Sequence, residues 1–263
     1  MIFDLQLNPA TESWGSLRDG VQLADEAGYN TIWVFDHFAG NLLRGTTMIE
    51  CFTLLGTYAA LTTRIGLGSL VVNVANRPPG VMISAAASVQ TVSSGRLRLG
   101  VGAGAAPGTQ WSAEHRLFGI DLPERMVARH ARLEHALDLM DRMWAADRDA
   151  EFDTFAQPSP RPPVIVGVNS VRLAELAGRR CDGLNVRASH EQVGELFTAA
   201  QRAREQSPLA GRPFECSVWT PFDEALRDPE HPRRREWEAL GVDRLILTCL
   251  DPYDAGAVGR FLR

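Results

Sequence analysis

The run Ile32-Trp33-Val34-Phe35-Asp36-His37 ends an apolar stretch with a carboxylate and an imidazole side by side. If that stretch is a strand of a parallel barrel, both groups arrive at its C-terminal end, where such barrels carry their active sites. A histidine placed there donates a hydrogen bond or moves a proton near neutral pH. The other reading of the pair is that Asp36 caps the next turn and His37 packs. Further on, Gly68-Ser69-Leu70-Val71-Val72-Asn73 delivers an amide that can bond a polar ring edge or serve as an ordinary turn residue. Gly100-Val101-Gly102-Ala103-Gly104 lacks the side chains that would keep a ligand off the backbone. Val164-Ile165-Val166-Gly167-Val168-Asn169-Ser170 runs into a helix whose first N–H groups suit a phosphate, or whose Asn or Ser is a plain cap.

Other chemistries drop out. All 27 basic residues are arginines, which removes Schiff-base catalysis, the usual pyridoxal-phosphate enzymes and the P-loop, since each needs a lysine. The six histidines show no metal-binding spacing, and no G-x-S-x-G elbow occurs. Cys51, Cys181, Cys216 and Cys249 lie far apart and read as small buried hydrophobes. The net charge of −5 is spread out, and the run Arg233 to Arg235 sits among Glu230, Glu236 and Glu238 as a solvated helix face, not a nucleic-acid patch. With no long apolar span and no leader-like start, a cytoplasmic protein is expected.

The elements that must position these groups follow from periodicity. Strand-like runs at 2–7, 31–35, 65–72, 97–101, 163–167, 183–187, 214–219 and 243–248 alternate with helix-like segments. Eight such units over 263 residues predict a single α/β domain, residues 1–263, folded as a (β/α)8 TIM barrel, with a doubly wound sheet as runner-up. The first helix is expected to open on Ser16 with Asp19, bury Leu17, Val21, Ala24 and Gly28, and stop at that glycine. Asp121 with Glu124, and Ser189 with Gln192, mark two further helix starts, the first leading to a stripe of Leu133, Leu137, Met140 and Trp144. The Pro-rich stretch from Asp147 to Pro163 is long enough to be read as a functional loop.

Taken together the segments resemble the bacterial luciferase-like group, which holds FMN-dependent monooxygenases and enzymes using the deazaflavin coenzyme F420. The likeness rests on Leu23-Ala24-Asp25-Glu26-Ala27-Gly28-Tyr29 leading to the Asp36-His37 end, on Thr63-Arg64-Ile65-Gly66-Leu67-Gly68-Ser69, and on Ser94-Gly95-Arg96 running through Gly104. Pro162-Pro163-Val164-Ile165-Val166-Gly167 and Cys181-Asp182-Gly183-Leu184-Asn185 complete it. The resemblance implies that Asp36 and His37 lie against the cofactor ring, with His37 catalytic. It also implies a non-proline cis peptide at Leu70–Val71 behind the ring, and Asn73 touching the ring. The cofactor tail then falls to Ala103, Gly104, Gly167, Val168, Ser170 and Val171. F420 is the expected cofactor and FMN the alternative, no metal is expected, and the reaction is hydride transfer with a small organic substrate. An FMN monooxygenase fed by a separate reductase, and a non-catalytic cofactor carrier, are the rival readings; a homodimer is the expected assembly. Two departures count: Ala105 stands where sugar-phosphate dehydrogenases of the group place a glutamate, and no tryptophan follows shortly after His37. The expected substrate loops, 8–14, 105–116 and 220–224, match no readable pattern, and Arg187 and Trp219 either line the pocket or sit in the wall.

Overall fold

The computed structural model describes residues 1–11, 13–250 and 253–262, so residue 12 of the first expected substrate loop lies outside the described residues. Along the chain come β1 (Ile2–Leu7), α1 (Trp14–Ala27), β2 (Thr31–Val34), α2 (Cys51–Leu61), β3 (Gly66–Ser69), β4 (Val72–Asn73), α3 (Pro79–Val92) and β5 (Leu97–Gly102). Then follow α4 (Ala113–Leu117), α5 (Met126–Trp144), β6 (Val164–Gly167), α6 (Val171–Arg180), β7 (Gly183–Arg187), α7 (Val193–Glu205), β8 (Glu215–Pro221), α8 (Pro232–Ala239), β9 (Arg244–Cys249) and α9 (Ala255–Arg260). Every strand pairing is parallel, and β1–β9 and β3–β5 contacts close the sheet on itself. β3 and β4 share one place in the wall, so nine strands make an eight-staved barrel, the (β/α)8 architecture the alternation predicts and not the doubly wound sheet. The run read as one strand over 65–72 is broken after Ser69, and the Leu70–Val71 bond in the break is a non-proline cis peptide. No helix among the described residues is long and apolar enough to cross a membrane.

Local chemistry sets the helix ends, in places one turn away from where the sequence pattern put them. α1 is capped by Ser13, whose hydroxyl accepts from the Ser16 amide at 3.1 Å, so Ser16 is the receiver and not the cap. Gly28 ends the helix at φ 101°, a left-handed conformation costly for any residue with a Cβ, and it is exposed, not part of the buried stripe. α5 starts after Arg125 with no side-chain cap, leaving Asp121 and Glu124 outside it, and α7 starts after Gln192, not Ser189. The stripe Leu133, Leu137, Met140 and Trp144 is buried as expected. The 147–163 stretch leads from α5 back to the start of β6, where the Gln90 amide donates to the Pro160 carbonyl at 2.7 Å. That puts it at the strands' N-terminal end, opposite the end where barrel chemistry is expected.

Inside the wall the side chains stack in three zones. At the N-terminal end Arg244 donates twice to Asp4 (2.7 and 2.8 Å) and twice to Glu215 (3.0 Å each), and Arg98 donates to Glu215 at 2.7 Å. Asp4 also accepts from the Trp33 indole at 2.7 Å and the Thr31 amide at 3.0 Å. Complete burial pushes the Asp4 carboxyl up to about 6, against the pull of Arg244 and Trp33. Burial likewise pushes Glu215 up, but its arginine partners outweigh that and hold it below the ordinary range. Above this plug lies an apolar layer of Trp33, Leu70, Ile165 and Ile246, with Val71 and Trp219 against it.

The glycines along the wall make room for that layer. A Cβ on Gly68 would stand 2.3 Å from the Trp33 ring, and one on Gly102 or Gly167 would meet the Val71 side chain at 2.6 or 2.9 Å. In β5, Gly102 thus makes room for Val71, and Gly100 for the Ser69 carbonyl, which a Cβ would meet at 2.0 Å.

Candidate active site

The third zone is polar and sits at the C-terminal ends of the strands. Asp36 follows β2 and is 4% exposed. Its Oδ2 accepts from the Asn73 amide at 2.9 Å, the Asn76 side chain at 3.0 Å and Arg77 Nη1 at 2.9 Å, while Oδ1 accepts from Arg77 Nη2 at 2.7 Å. Arg77 Nη2 also donates to Glu50 at 3.0 Å. Through this bidentate pair and the Asn73 amide, Asp36 ties the end of β2 to β4 and the start of α3.

His37 is placed differently. Its Nδ1 donates to Glu114 Oε1 at 2.8 Å, and its side chain is 22% exposed. Nε2 has no protein partner among the described residues and is not sealed from solvent. Glu114, on the short helix α4, is 2% exposed, and its Oε2 accepts from the amides of Phe38 (2.7 Å) and Ala39 (2.8 Å). Burial alone would push the Glu114 carboxyl up; the His37 ring and the two amides outweigh it and hold it below the ordinary carboxylate range. No tryptophan follows shortly after His37, but the Trp111 ring, from the connection after β5, lies 5.7 Å from the imidazole.

Asn73 does not leave its amide open. Its oxygen accepts from the Ala75 amide at 2.9 Å, and its nitrogen faces His115 Nε2 at 2.8 Å. Asn76 Oδ1 faces the same Nε2 at 2.8 Å, so that atom stands between a donor and an acceptor and serves one at a time. His115 is 1% exposed, and burial lowers its pKa, with the charge of Glu114 pulling the other way. A cleft of about 600 Å³ lined by Pro107, Thr109, Ser112, His115 and Ile120 opens beside this network.

A family model described as luciferase-like monooxygenase matches residues 2–241. The chain belongs to that family. The F420-dependent glucose-6-phosphate dehydrogenase of Beutenbergia cavernae is 27% identical over 241 residues, 84% of this chain and 68% of that protein. The protein of the same name from Microbacterium testaceum is 27% identical over 201 residues, 72% of this chain but only 57% of its own length. Among solved structures, an F420-dependent secondary alcohol dehydrogenase with an F420-acetone adduct superposes at a TM-score of 0.79 with 16% identity, covering 100% of this chain and 98% of that one. A monooxygenase from Streptomyces bottropensis gives 0.79 at 18% identity, covering 100% and 97%. At these identities the structural likeness speaks for the fold.

As a luciferase-like chain, it brings the expected tail residues together where β5 and β6 pair through Val101 and Val166. Ala103 and Val168 pack into the main core, and Gly104, at φ 85°, leaves room for Asn73 Oδ1, which a Cβ there would meet at 2.5 Å. Ser170 is the N-cap of α6, yet it makes no capping bond and its buried hydroxyl has no partner. The first turn of α6, starting at Val171, contains no acidic residue. Uncommitted N–H groups beside an orphan hydroxyl suit a phosphate. At the end of the neighbouring strand β7 the Arg187 guanidinium lies 5.4 Å from the Trp219 ring, whose side chain rests on the apolar layer in the lumen. Glu114, His115 and Arg77 are the site residues that motif reading missed. The available signal was a Glu-His pair standing together in the connection after β5.

Proposed function

We propose that this chain is an F420-dependent oxidoreductase that passes a hydride between the deazaflavin and a small organic substrate, with His37 moving the accompanying proton. The observation that carries the reading is the half-buried imidazole at the strand ends, held by Nδ1 and open at Nε2. When bound, the deazaflavin supplies the carbon that takes or gives the hydride. For an alcohol substrate the C–H electron pair leaves as hydride, the O–H proton goes to His37 Nε2, and a carbonyl compound remains. Asp36 and Asn73 act as positioning residues, through Arg77 and His115. Ser170 and the first turn of α6 hold a phosphate of the cofactor tail, with Gly104, Gly167, Val168 and Val171 shaping its path. The names of the relatives and the fit of the α6 start support this assignment.

Glucose 6-phosphate is not the substrate we assign. Ala105 stands after Gly104 where sugar-phosphate dehydrogenases of the group place a glutamate, and the chain has no lysine for a sugar phosphate. We also assign a homodimer formed through α2 and α3, whose 11 and 14 residues include no charged side chain and expose Val81 and Val92. Light scattering that gives a monomer mass would overturn the dimer.

Titration of the apoprotein with F420 and with FMN, read by fluorescence, tests the cofactor. Tight binding of F420 is the expected result. Binding of FMN alone would replace the reading with an FMN monooxygenase supplied by a separate reductase. No response to either would leave a non-catalytic protein.

A further inference from the structure

We propose that Glu114 dictates which nitrogen of His37 carries the proton, and so makes His37 a base at the barrel mouth. The inference rests on the reading of His37 as the proton-transfer residue. A neutral imidazole has one N–H and one lone pair, and the partner of one nitrogen fixes the role of the other. Glu114 Oε1 lies 2.8 Å from Nδ1, and an ionised carboxylate can only accept. The proton therefore sits on Nδ1, and the lone pair is left on Nε2, the nitrogen with no protein partner among the described residues.

The carboxylate cannot turn away from this duty. Its second oxygen is held by two backbone donors, Phe38 and Ala39, at 2.7 and 2.8 Å, both belonging to the turn that carries His37. One buried side chain on α4 thus fixes the ring and the backbone beside it. The other groups facing His37 do not compete for its nitrogens. Asp36 is engaged by Arg77, His115 is occupied with Asn73 and Asn76, and Trp111 offers a ring contact.

The geometry makes a pointed forecast for the isosteric change Glu114→Gln. The two backbone N–H groups accept no substitute for an oxygen, so they hold the amide oxygen at the Oε2 position. The amide NH2 then faces Nδ1, which has to become the acceptor, and the proton moves to Nε2. A base becomes a donor without change of shape.

The test is the ¹⁵N chemical shifts of the His37 ring, read at a pH where it is neutral, in protein without cofactor. The parent chain is expected to show protonated Nδ1 and bare Nε2, and Glu114→Gln the reverse. A parent ring protonated on Nε2, or a variant that keeps the parent pattern, would overturn the proposal; the parent measurement needs no variant to fold. Because no cofactor or substrate enters, failure of the F420 assignment leaves this result standing. In turnover, Glu114→Gln is expected to lose about as much as removal of the imidazole does, roughly a hundredfold, with F420 affinity unchanged. An unaltered rate in a variant whose tautomer has switched would show that His37 is not the base.

Discussion

The two ends of the barrel are built from the same kinds of side chain and finished in opposite ways. At the N-terminal end two arginines and two carboxylates, Arg98, Arg244, Asp4 and Glu215, face one another inside the lumen, and each charge has an opposite partner in the protein. At the C-terminal end the carboxylates are also engaged, Asp36 by Arg77 and Glu114 by His37, but the network stops short of closing. Among the described residues His37 Nε2 and the Ser170 hydroxyl have no partner, and the Arg187 guanidinium has only the Trp219 ring beside it. In the plug every charge is matched, although Arg98 Nε has no hydrogen-bond partner among the described residues, whereas at the mouth the groups left over are where a ligand can add its own.

The largest effect that separates the ends is expected from Arg244→Met. It strands the buried Asp4 carboxylate and strips Glu215 of one of its two arginines, and removing one member of such a group costs about 3–5 kcal/mol. Urea unfolding should show that loss, while F420 binding per folded molecule stays as it was. A loss confined to binding would mean that the plug belongs to the site. Next comes His37→Ala, which should lower turnover roughly a hundredfold, as expected for a positioned acid or base, while the chain still folds, with a loss of about 1–3 kcal/mol from the Glu114 carboxylate it leaves short of a partner. A folded variant with full turnover removes His37 from the mechanism.

The plug should also titrate in two directions. Asp4 has its carboxyl raised from 3.8 to about 6, so within that window the folded protein binds the extra proton and this contribution to stability declines as pH rises. Glu215 is held below its ordinary 4.5, so its contribution is present above that pH and is lost as pH falls through the folded value. Asp4→Asn should therefore remove a decline between 3.8 and about 6, and Glu215→Gln an acid loss, both read from denaturant midpoints across pH. The same sign of slope change in both variants would contradict this division. The smallest effect is expected from Ser170→Ala, which deletes one hydrogen bond worth about 0.5–1.5 kcal/mol and should weaken F420 a few-fold without touching stability. Unchanged affinity would take Ser170 out of the tail site.

The sequence made the architecture legible because strand and helix periods are local properties, and each of the eight strand-like runs lands on the barrel wall. The stretches that carried the family likeness proved to be mostly scaffold. Asp25 accepts from the Thr63 and Ile65 amides, Asp182 from Val164, and Arg96 donates to the Ala59, Thr62 and Ile65 carbonyls, all at helix or strand ends. His37 could be picked out because it stands at a strand end. Glu114 could not be paired with it, since 77 residues separate the two and only closure of the barrel brings them together. The resemblance sets Asp36 and Asn73 against a ring, but it does not name the protein groups that hold them, Arg77, Asn76 and His115. The helix caps slipped for a related reason: a Ser or Asp near a helix start competes with others one turn away, and backbone angles decide between them.

The column of missing side chains at 68, 102 and 167 has a consequence for how such a barrel changes over time. Trp33 fills the space over Gly68, and Val71 the space over Gly102 and Gly167, so volume in one strand is set against emptiness in its neighbours. Related chains should trade these positions in concert: a bulky residue at the place of Gly68 ought to travel with a small one at Trp33, and a larger side chain at either of the other two glycines with a smaller one at Val71. Such paired exchanges would appear in an alignment as correlated columns, and single replacements at these glycines should be the rare ones.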